Sequence, residues 1–123
     1  MAKILIRWKL GELSAEIGSS PSARKLLAEL PLQCVANTWG DEVYFELPFA
    51  SQLESGAKDI VEPGTVCFWT QGNSLALPFG PTPISKNGEC RLANPCNIIG
   101  KIEDDPALLK TVKDGDIISL KRL

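Results

Sequence analysis

The chain has 123 residues and a formal net charge of −2; 44% of its residues are apolar and 23% are charged. These proportions are those of an ordinary folded domain, and they exclude disordered, collagenous and coiled-coil chains. The cations form no run longer than a pair, and no apolar stretch reaches the ~20 residues of a membrane span, so we expect neither nucleic acid nor a membrane as a partner.

Two strands and a helix are predicted at the start of the chain. Residues 4–10 alternate apolar and polar side chains with the period of a half-buried strand, and Gly11-Glu12 is typical of a turn into a second strand over 13–17. Ser20-Pro21 then supplies a capping hydroxyl and a first helical residue. Apolar side chains recur on one face of this helix until Pro31 ends it.

The middle of the chain returns to strands. Over residues 43–47 the odd-numbered side chains are apolar, so they are expected to face the interior and to leave Tyr44 outside. Residues 51–61 have no clear period and are interpreted as a surface connection. A second hairpin is predicted from strands over 65–69 and 75–79, which a Gly-Asn turn joins.

The last third of the chain leaves the sheet and comes back. Two prolines within residues 80–83 remove hydrogen-bond donors, an exposed loop over 86–89 follows, and Arg91 is expected in a loop just before residue 97. A buried strand over 97–102, a short helix that starts at Asp105-Pro106 and a final strand over 117–123 complete the pattern. About seven strands and two short helices predict a mainly β fold, a closed antiparallel barrel with two short capping helices.

We expect one domain, residues 1–123, in the cytoplasm. The length suits a single core, and no low-complexity linker divides the chain. Lys3, Arg7 and Lys9 interrupt the N-terminal apolar run, whereas a secretion signal has an uninterrupted apolar core.

Four cysteines and the absence of histidine limit the metal and redox chemistry of the chain: Cys34, Cys67, Cys90 and Cys96. No CxxC pair occurs, and Cys34 and Cys67 are expected to be small core residues. A Cys90–Cys96 bridge stays open as an alternative. A zinc site would need all four thiolates at irregular spacing, so we expect no metal.

Four ordered motifs carry a resemblance to a known family: Asn37-Thr38-Trp39-Gly40-Asp41-Glu42-Val43-Tyr44-Phe45, Glu62-Pro63-Gly64-Thr65-Val66 with Trp69 and Gly72-Asn73, Phe79-Gly80-Pro81-Thr82-Pro83, and Asn97-Ile98-Ile99-Gly100-Lys101-Ile102. Together they resemble the small cyclophilin-like domain family of bacteria and archaea. The resemblance implies an eight-stranded closed barrel with two capping helices, similar in architecture to the cyclophilin prolyl isomerases. It implies no activity, because none is established for the family. Two departures are Thr70-Gln71, where many members have two prolines, and the cysteines that flank residues 91–95.

The residues that cyclophilins use for prolyl isomerisation are missing. Those enzymes place an arginine near an apolar proline pocket to stabilise the twisted imide, together with a glutamine and a histidine. Here Glu46 stands where the cation is wanted, Ala76 stands in place of the glutamine, and the chain has no histidine. We therefore expect no prolyl isomerase activity.

Other catalytic patterns are weak. Without histidine, a nucleophilic Ser or Cys would need a lysine or carboxylate base, and the Ser22-x-x-Lys25 match lies on the predicted helix. Asp41 and Glu42 are adjacent and would point to different sides of an extended chain, which makes them a poor acid/base pair. We assign no catalytic residue and no cofactor.

What the pattern favours is a recognition surface. Tyr44 and Trp69 are both expected on the outer face of the barrel. Side chains alternate between the two faces of a strand, and the apolar residues of the other face are expected in the interior: Val43, Phe45, Val66 and Phe68. The candidate ligand-binding residues combine aromatic rings with two polar side chains: Trp39, Tyr44, Trp69, Phe79, Gln71 and Arg91. A role in the core stays open for Trp39 and Trp69, and a solvated surface role for Arg91.

The leading hypothesis is a binding module for a peptide or a small organic ligand, such as an organic acid that Arg91 could hold by its planar guanidinium. The alternative is an enzyme, either a degenerate prolyl isomerase or the small partner subunit of an amide-hydrolysing enzyme, an idea that rests on fold analogy. A third alternative, which the composition leaves open, is assembly as a homo-oligomer.

Overall fold

Ten strands, one α-helix and one 3-10 helix form the part of the chain that the computed structural model describes, residues 2–123. Met1, the first residue of the predicted domain, lies outside the described residues. The helices are α1 (Pro21–Glu29) and a 3-10 helix (Pro106–Thr111). The strands are β1 (Ala2–Trp8), β2 (Gly11–Ile17), β3 (Leu32–Val35), β4 (Asn37–Thr38), β5 (Glu42–Glu46), β6 (Lys58–Val61), β7 (Thr65–Trp69), β8 (Ser74–Pro78), β9 (Cys90–Ile102) and β10 (Ile117–Arg122).

The strands form one antiparallel sheet that nearly closes into a barrel. Its order is β3-β10-β1-β2-β9-β7-β8-β5-β4, and β6 pairs with β9 outside this path. The two end strands, β3 and β4, are consecutive in the chain and meet at Ala36, whose backbone N–H donates to Asp116 O at 2.8 Å. No ladder joins β3 to β5 among the described residues, so one seam of the predicted closed barrel stays unsealed. The mainly β antiparallel architecture is confirmed.

The two predicted capping helices differ from each other in the structure. The Ser20 side chain caps α1 by accepting from Ala23 N at 3.4 Å, as its place before Pro21 predicts. The second helix is a single 3-10 segment, in which Val112 N donates to Leu109 O, three residues back. Neither helix within residues 2–123 is long and apolar enough to cross a membrane.

The barrel core follows the parity that the strand patterns predict. Val43, Phe45, Val66 and Phe68 are all buried in one continuous apolar cluster. The first hairpin departs from the prediction at Leu10, which is 61% exposed because β1 ends at Trp8 and the turn comes before Gly11.

A second, smaller apolar cluster lies on the outer face of the barrel. It consists of Cys67, Ala76, Leu92 and Cys96, with Tyr44 and Trp69 packed against it. The covering layer is the first half of β9, which pairs with β6, while the second half pairs with β7 and β2. The prediction of a loop before residue 97 is therefore wrong for residues 90–96, and that of an unstructured connection is wrong for residues 58–61, whereas residues 86–89 and 51–57 lie outside the strands as predicted. Each segment contributes a strand whose backbone groups are hydrogen-bonded to the strand of the other segment. The residue pattern of one segment alone does not show this pairing.

Candidate functional site

A cavity of about 180 Å³ opens on this outer face, between the barrel wall and the first half of β9. Its floor comes from β5 and β8. Glu42 and Tyr44 are two residues apart on β5, so both point away from the barrel core, and Ala76 of β8 pairs directly with Tyr44. The outward face of β5 thus places a carboxyl group and a phenol ring side by side.

The walls of the cavity come from three further segments. Trp39 stands in the turn that follows β4, Trp69 ends β7, and β9 contributes Leu92, Ala93 and Cys96. Three aromatic rings therefore meet around one opening, with small apolar side chains between them.

Trp69 is held in place from several sides. Its indole Nε1 donates to Asn94 Oδ1 at 3.1 Å, and its ring meets Tyr44 edge to face, with centroids 6.1 Å apart and an interplanar angle of 87°. Gly72 lies against the ring so closely that a Cβ atom there would overlap it. The Trp69 wall is therefore preorganised, since contacts on three sides define its rotamer.

Glu42 is the carboxyl group of the cavity. The residue is only 7% exposed, and its Oε1 atom has no hydrogen-bond partner among residues 2–123. Burial raises the pKa of this carboxyl group from the ordinary 4.5 to about 7, because the charged form loses its hydration. A buried carboxyl group without partners is costly, and such groups are uncommon in folded proteins.

The neighbouring cysteines are packing groups. All four cysteines are buried free thiols, as expected of Cys34 and Cys67. Burial, and after it the charge of Glu42, raises the pKa of Cys96 to about 12, and burial raises the pKa of Cys90 to about 11. A thiol that stays protonated is a poor nucleophile and a poor metal ligand. Within residues 2–123, no group of three or more metal-ligating side chains is arranged to hold an ion.

Of the six candidate ligand-binding residues, Trp39, Tyr44 and Trp69 line this cavity together. Phe79 packs against the barrel core instead, and Gln71 is exposed in the turn between β7 and β8.

Arg91 is not among the residues that line the cavity. Its guanidinium is shared between two carboxylates, with Nε donating to Glu89 Oε1 at 2.6 Å and Nη1 lying 3.4 Å from Asp59 Oδ2. An arginine already paired in this way has little capacity left for a ligand carboxylate.

Comparison with known proteins agrees with this architecture. A profile of cyclophilin-like proteins matches residues 2–121. The chain belongs to the cyclophilin-like family. The solution structure of a hypothetical protein from Archaeoglobus fulgidus is similar, with 35% sequence identity and a TM-score of 0.84 over 99% of this chain and 95% of that one. A search of the curated proteins found no match. The resemblance drawn from the four motifs is confirmed.

The site residue of this cyclophilin-like chain that sequence reasoning missed is Glu42. In the sequence, Glu42 is conspicuous only as part of a poor acid/base pair with the adjacent Asp41. The informative relation is that Glu42 lies two residues before Tyr44 on the same strand. Residues two apart on a strand share a face, so the prediction that Tyr44 points outward also applied to Glu42. The burial of Glu42 could not be foreseen, because the covering residues belong to β9.

Proposed function

We propose that the cavity beside Trp39, Tyr44 and Trp69 binds a small organic molecule and that this cyclophilin-like domain acts as a binding module. The observation that carries the proposal is the meeting of three aromatic rings around one open cavity on the outside of a barrel whose own core is complete. Concave apolar sites with a few polar groups are the usual form of small-molecule sites.

The size of the cavity favours a compact ligand. A cavity of about 150 Å³ in another protein accepts a benzene ring, and this one measures about 180 Å³. One ring with a short substituent therefore fits. The fixed Trp69 wall reduces the side-chain entropy that binding would otherwise cost.

Ligand binding can be tested on the purified protein with single-ring compounds of different charge. We expect at least one of benzylammonium, benzyl alcohol and benzoate to bind, with chemical-shift changes centred on the Trp69 and Tyr44 signals. Trp69→Ala should weaken that binding at least tenfold. Gln71→Ala is the matched control, since Gln71 is exposed on the adjacent turn outside the cavity, and it should leave binding unchanged.

Two results would contradict the proposal. One is that none of the three compounds binds, and the other is that Gln71→Ala weakens binding as much as Trp69→Ala. Native mass spectrometry of the gently purified protein adds an independent view, because a retained natural ligand should be lost from Trp69→Ala.

The same domain is expected to be inactive as a prolyl isomerase. No arginine, glutamine or histidine from residues 2–123 lines the cavity, whereas cyclophilins stabilise the twisted imide with an arginine, together with a glutamine and a histidine. A protease-coupled assay on a proline peptide should run no faster with the protein than without it. Turnover near that of ordinary cyclophilins would overturn this expectation.

A further inference from the structure

We propose that the cavity selects a small organic cation, an ammonium or amidinium group on a single ring or short chain, whose charge meets the carboxylate of Glu42. This inference rests on the proposed function of the cavity and names the chemical class of its ligand. It also replaces the organic acid that the sequence suggested.

The first support is the position of Glu42. Its side chain lines the cavity while the residue is 7% exposed, and its Oε1 atom lacks a partner among the described residues. Buried charged groups in proteins are almost always paired, yet the Glu42 side chain forms no hydrogen bond or salt bridge within residues 2–123, so a ligand in the cavity that Glu42 lines can supply the missing counter-charge. A carboxylate only accepts hydrogen bonds, which requires a donor on the ligand.

The second support is the sign of the charges around Glu42. No lysine or arginine is among the residues from 2–123 that line the cavity. The titratable groups near Glu42 are one phenol and three thiols: Tyr44 on β5, Cys67 on β7, and Cys90 and Cys96 on β9. The neighbouring residues of β8, Ala76 and Pro78, do not titrate.

The charged neighbours farther out are also acidic. Burial is the largest cause of the raised pKa values of Cys90 and Cys96. The negative charges of Asp41 and Glu62 raise the pKa of Cys90 further, and that of Asp59 raises the pKa of Cys96 further. Two cations lie on β6 and the first half of β9: Arg91 is paired with Glu89 and Asp59, and Lys58, opposite Cys96, is exposed and outside the cavity lining. The field in the cavity therefore favours a positive ligand and opposes a carboxylate or a phosphate.

The third support is the aromatic lining. Trp39, Tyr44 and Trp69 all line the cavity that Glu42 faces. Aromatic faces attract ammonium and guanidinium groups through the ring quadrupole, with tryptophan the strongest, and cages of such rings are a known mode of organic-cation recognition. Rings around a carboxylate combine that attraction with a charge-assisted hydrogen bond.

Binding of a cation must be linked to the protonation of Glu42. Burial raises the pKa of this group to about 7, so near neutral pH the free protein is a mixture of the acid and the carboxylate. A cation stabilises the carboxylate, which means that it binds with release of a proton below about pH 7. Its affinity should therefore fall as the pH is lowered from 8 to 6, by about tenfold for a single group with this pKa.

The test uses calorimetric titration of the full chain with three probes of one shape: benzylammonium, benzyl alcohol and benzoate. We expect benzylammonium to bind at least tenfold more tightly than the other two at pH 8. Its dissociation constant should rise about tenfold at pH 6, where the probe itself stays protonated. Glu42→Gln should abolish both the preference for the cation and the pH dependence, while benzyl alcohol binds as before.

Glu46→Gln is the matched control. It removes the same charge from the same strand, but Glu46 is exposed and outside the cavity, so preference and pH dependence should both persist. The comparison of the three probes on the unaltered protein does not depend on any variant folding.

The outcomes separate this inference from the proposed function. If benzyl alcohol or benzoate binds as tightly as benzylammonium, and Trp69→Ala still removes that binding, the cavity is a ligand site but the assignment of a cation is wrong. If the cation preference survives Glu42→Gln, the assignment to Glu42 is wrong. If no probe binds in a Trp69-dependent way, the proposed function itself fails.

Discussion

Two of the buried polar side chains of this barrel, Asn97 and Glu42, have opposite surroundings. Asn97 of β9 is 0% exposed, and its amide is fully engaged: Nδ2 donates to Ser22 Oγ and to Gln52 O, each at 2.9 Å, and Oδ1 accepts from Glu54 N at 2.8 Å. Glu42 of β5 is almost as buried, yet its Oε1 atom has no partner among residues 2–123.

The difference teaches how to separate a structural polar group from a functional one. The contacts of Asn97 tie α1 and the segment before β6 to the barrel, so that satisfying the amide also fixes the fold around it. The Glu42 side chain forms no hydrogen bond within residues 2–123, and its burial in the charged form lowers the stability of the folded protein. A group of that kind is understandable where a ligand supplies the missing partner.

The largest loss of stability is expected for Asn97→Ala, and it tests whether the Asn97 network is structural. Asn97→Ala leaves the Glu54 N–H and the Gln52 carbonyl without this partner, and each such group costs about 1–3 kcal/mol, whereas the Ser22 hydroxyl keeps Glu54 and Ser51. We expect a total loss of about 3 kcal/mol or more in the free energy of unfolding by urea.

Gln52→Ala is the control for Asn97→Ala, because Gln52 contributes only its backbone carbonyl and that carbonyl is retained. Its free energy of unfolding should stay within about 0.5 kcal/mol of that of the unaltered protein, as is usual for surface substitutions. An Asn97→Ala protein of unchanged stability would show that the network is not structural.

The next effect concerns the charge on Glu42. Its folded-state pKa of about 7 lies above the ordinary 4.5, so the stability that the neutral acid contributes is fully present below about pH 4.5 and is lost as the pH rises through 7. This difference corresponds to about 3 kcal/mol. Glu42→Gln, which cannot ionise, should therefore gain about that much relative to the unaltered protein between pH 4 and pH 8.

Urea unfolding at the two pH values measures this gain, and Glu46→Gln is its control. Glu46 is exposed on the same strand, so its neutral variant should follow the unaltered protein at both pH values. Equal pH profiles for Glu42→Gln and Glu46→Gln would show that Glu42 is solvated like a surface acid, and the comparison with Asn97 would collapse.

The sequence predicts the barrel strands and α1 better than it predicts the cavity. The hairpins and α1 depend on local signals, such as the alternation over residues 43–47 and the Ser20-Pro21 start, and the structure places both as predicted. Local patterns carry that information because neighbours in the sequence are neighbours on the same strand or helix face.

The cavity depends on contacts that no local pattern encodes. Its cover is the first half of β9, where Lys58 pairs with Cys96 and Val61 pairs with Cys90 across a shift in register. Pro95 within that half-strand is typical of a loop, since proline donates nothing to a ladder. Glu42 is buried by residues that lie far along the chain, so composition and spacing near Glu42 could not indicate its burial.

A smaller effect on stability is expected at Trp69, which sharpens the distinction between site and core. Trp69 is half-buried at the cavity, whereas Trp8 is 4% exposed in the barrel core and donates from Nε1 to Thr111 Oγ1 at 2.8 Å. Trp69→Ala should cost about 1–2 kcal/mol, well under the ~3–5 kcal/mol of emptying a core aromatic site. Trp8→Ala, measured alongside by urea unfolding, should fall in that larger range. Equal losses would place Trp69 in the core and remove it from the site.

The smallest effect, close to zero, is expected from chelator and reductant, and it tests whether the cysteines beside Glu42 add any chemistry to the cavity. All four thiols are buried and free, and burial raises the pKa of Cys67, Cys90 and Cys96, so these three stay protonated at neutral pH. Thiolate is the form that binds metals and attacks disulfides. The thermal midpoint should therefore move by less than about 2 °C with EDTA or dithiothreitol, since a change of 1 kcal/mol shifts the midpoint by about 4–8 °C in domains of 60–100 residues and by about 2–4 °C in domains of 150–250 residues. Ellman's reagent should react slowly with the native protein and with all four thiols after unfolding. A midpoint that drops by many degrees with either additive would mean that a metal or a disulfide holds this face together, and Glu42 would then belong to that centre instead of to an open ligand site.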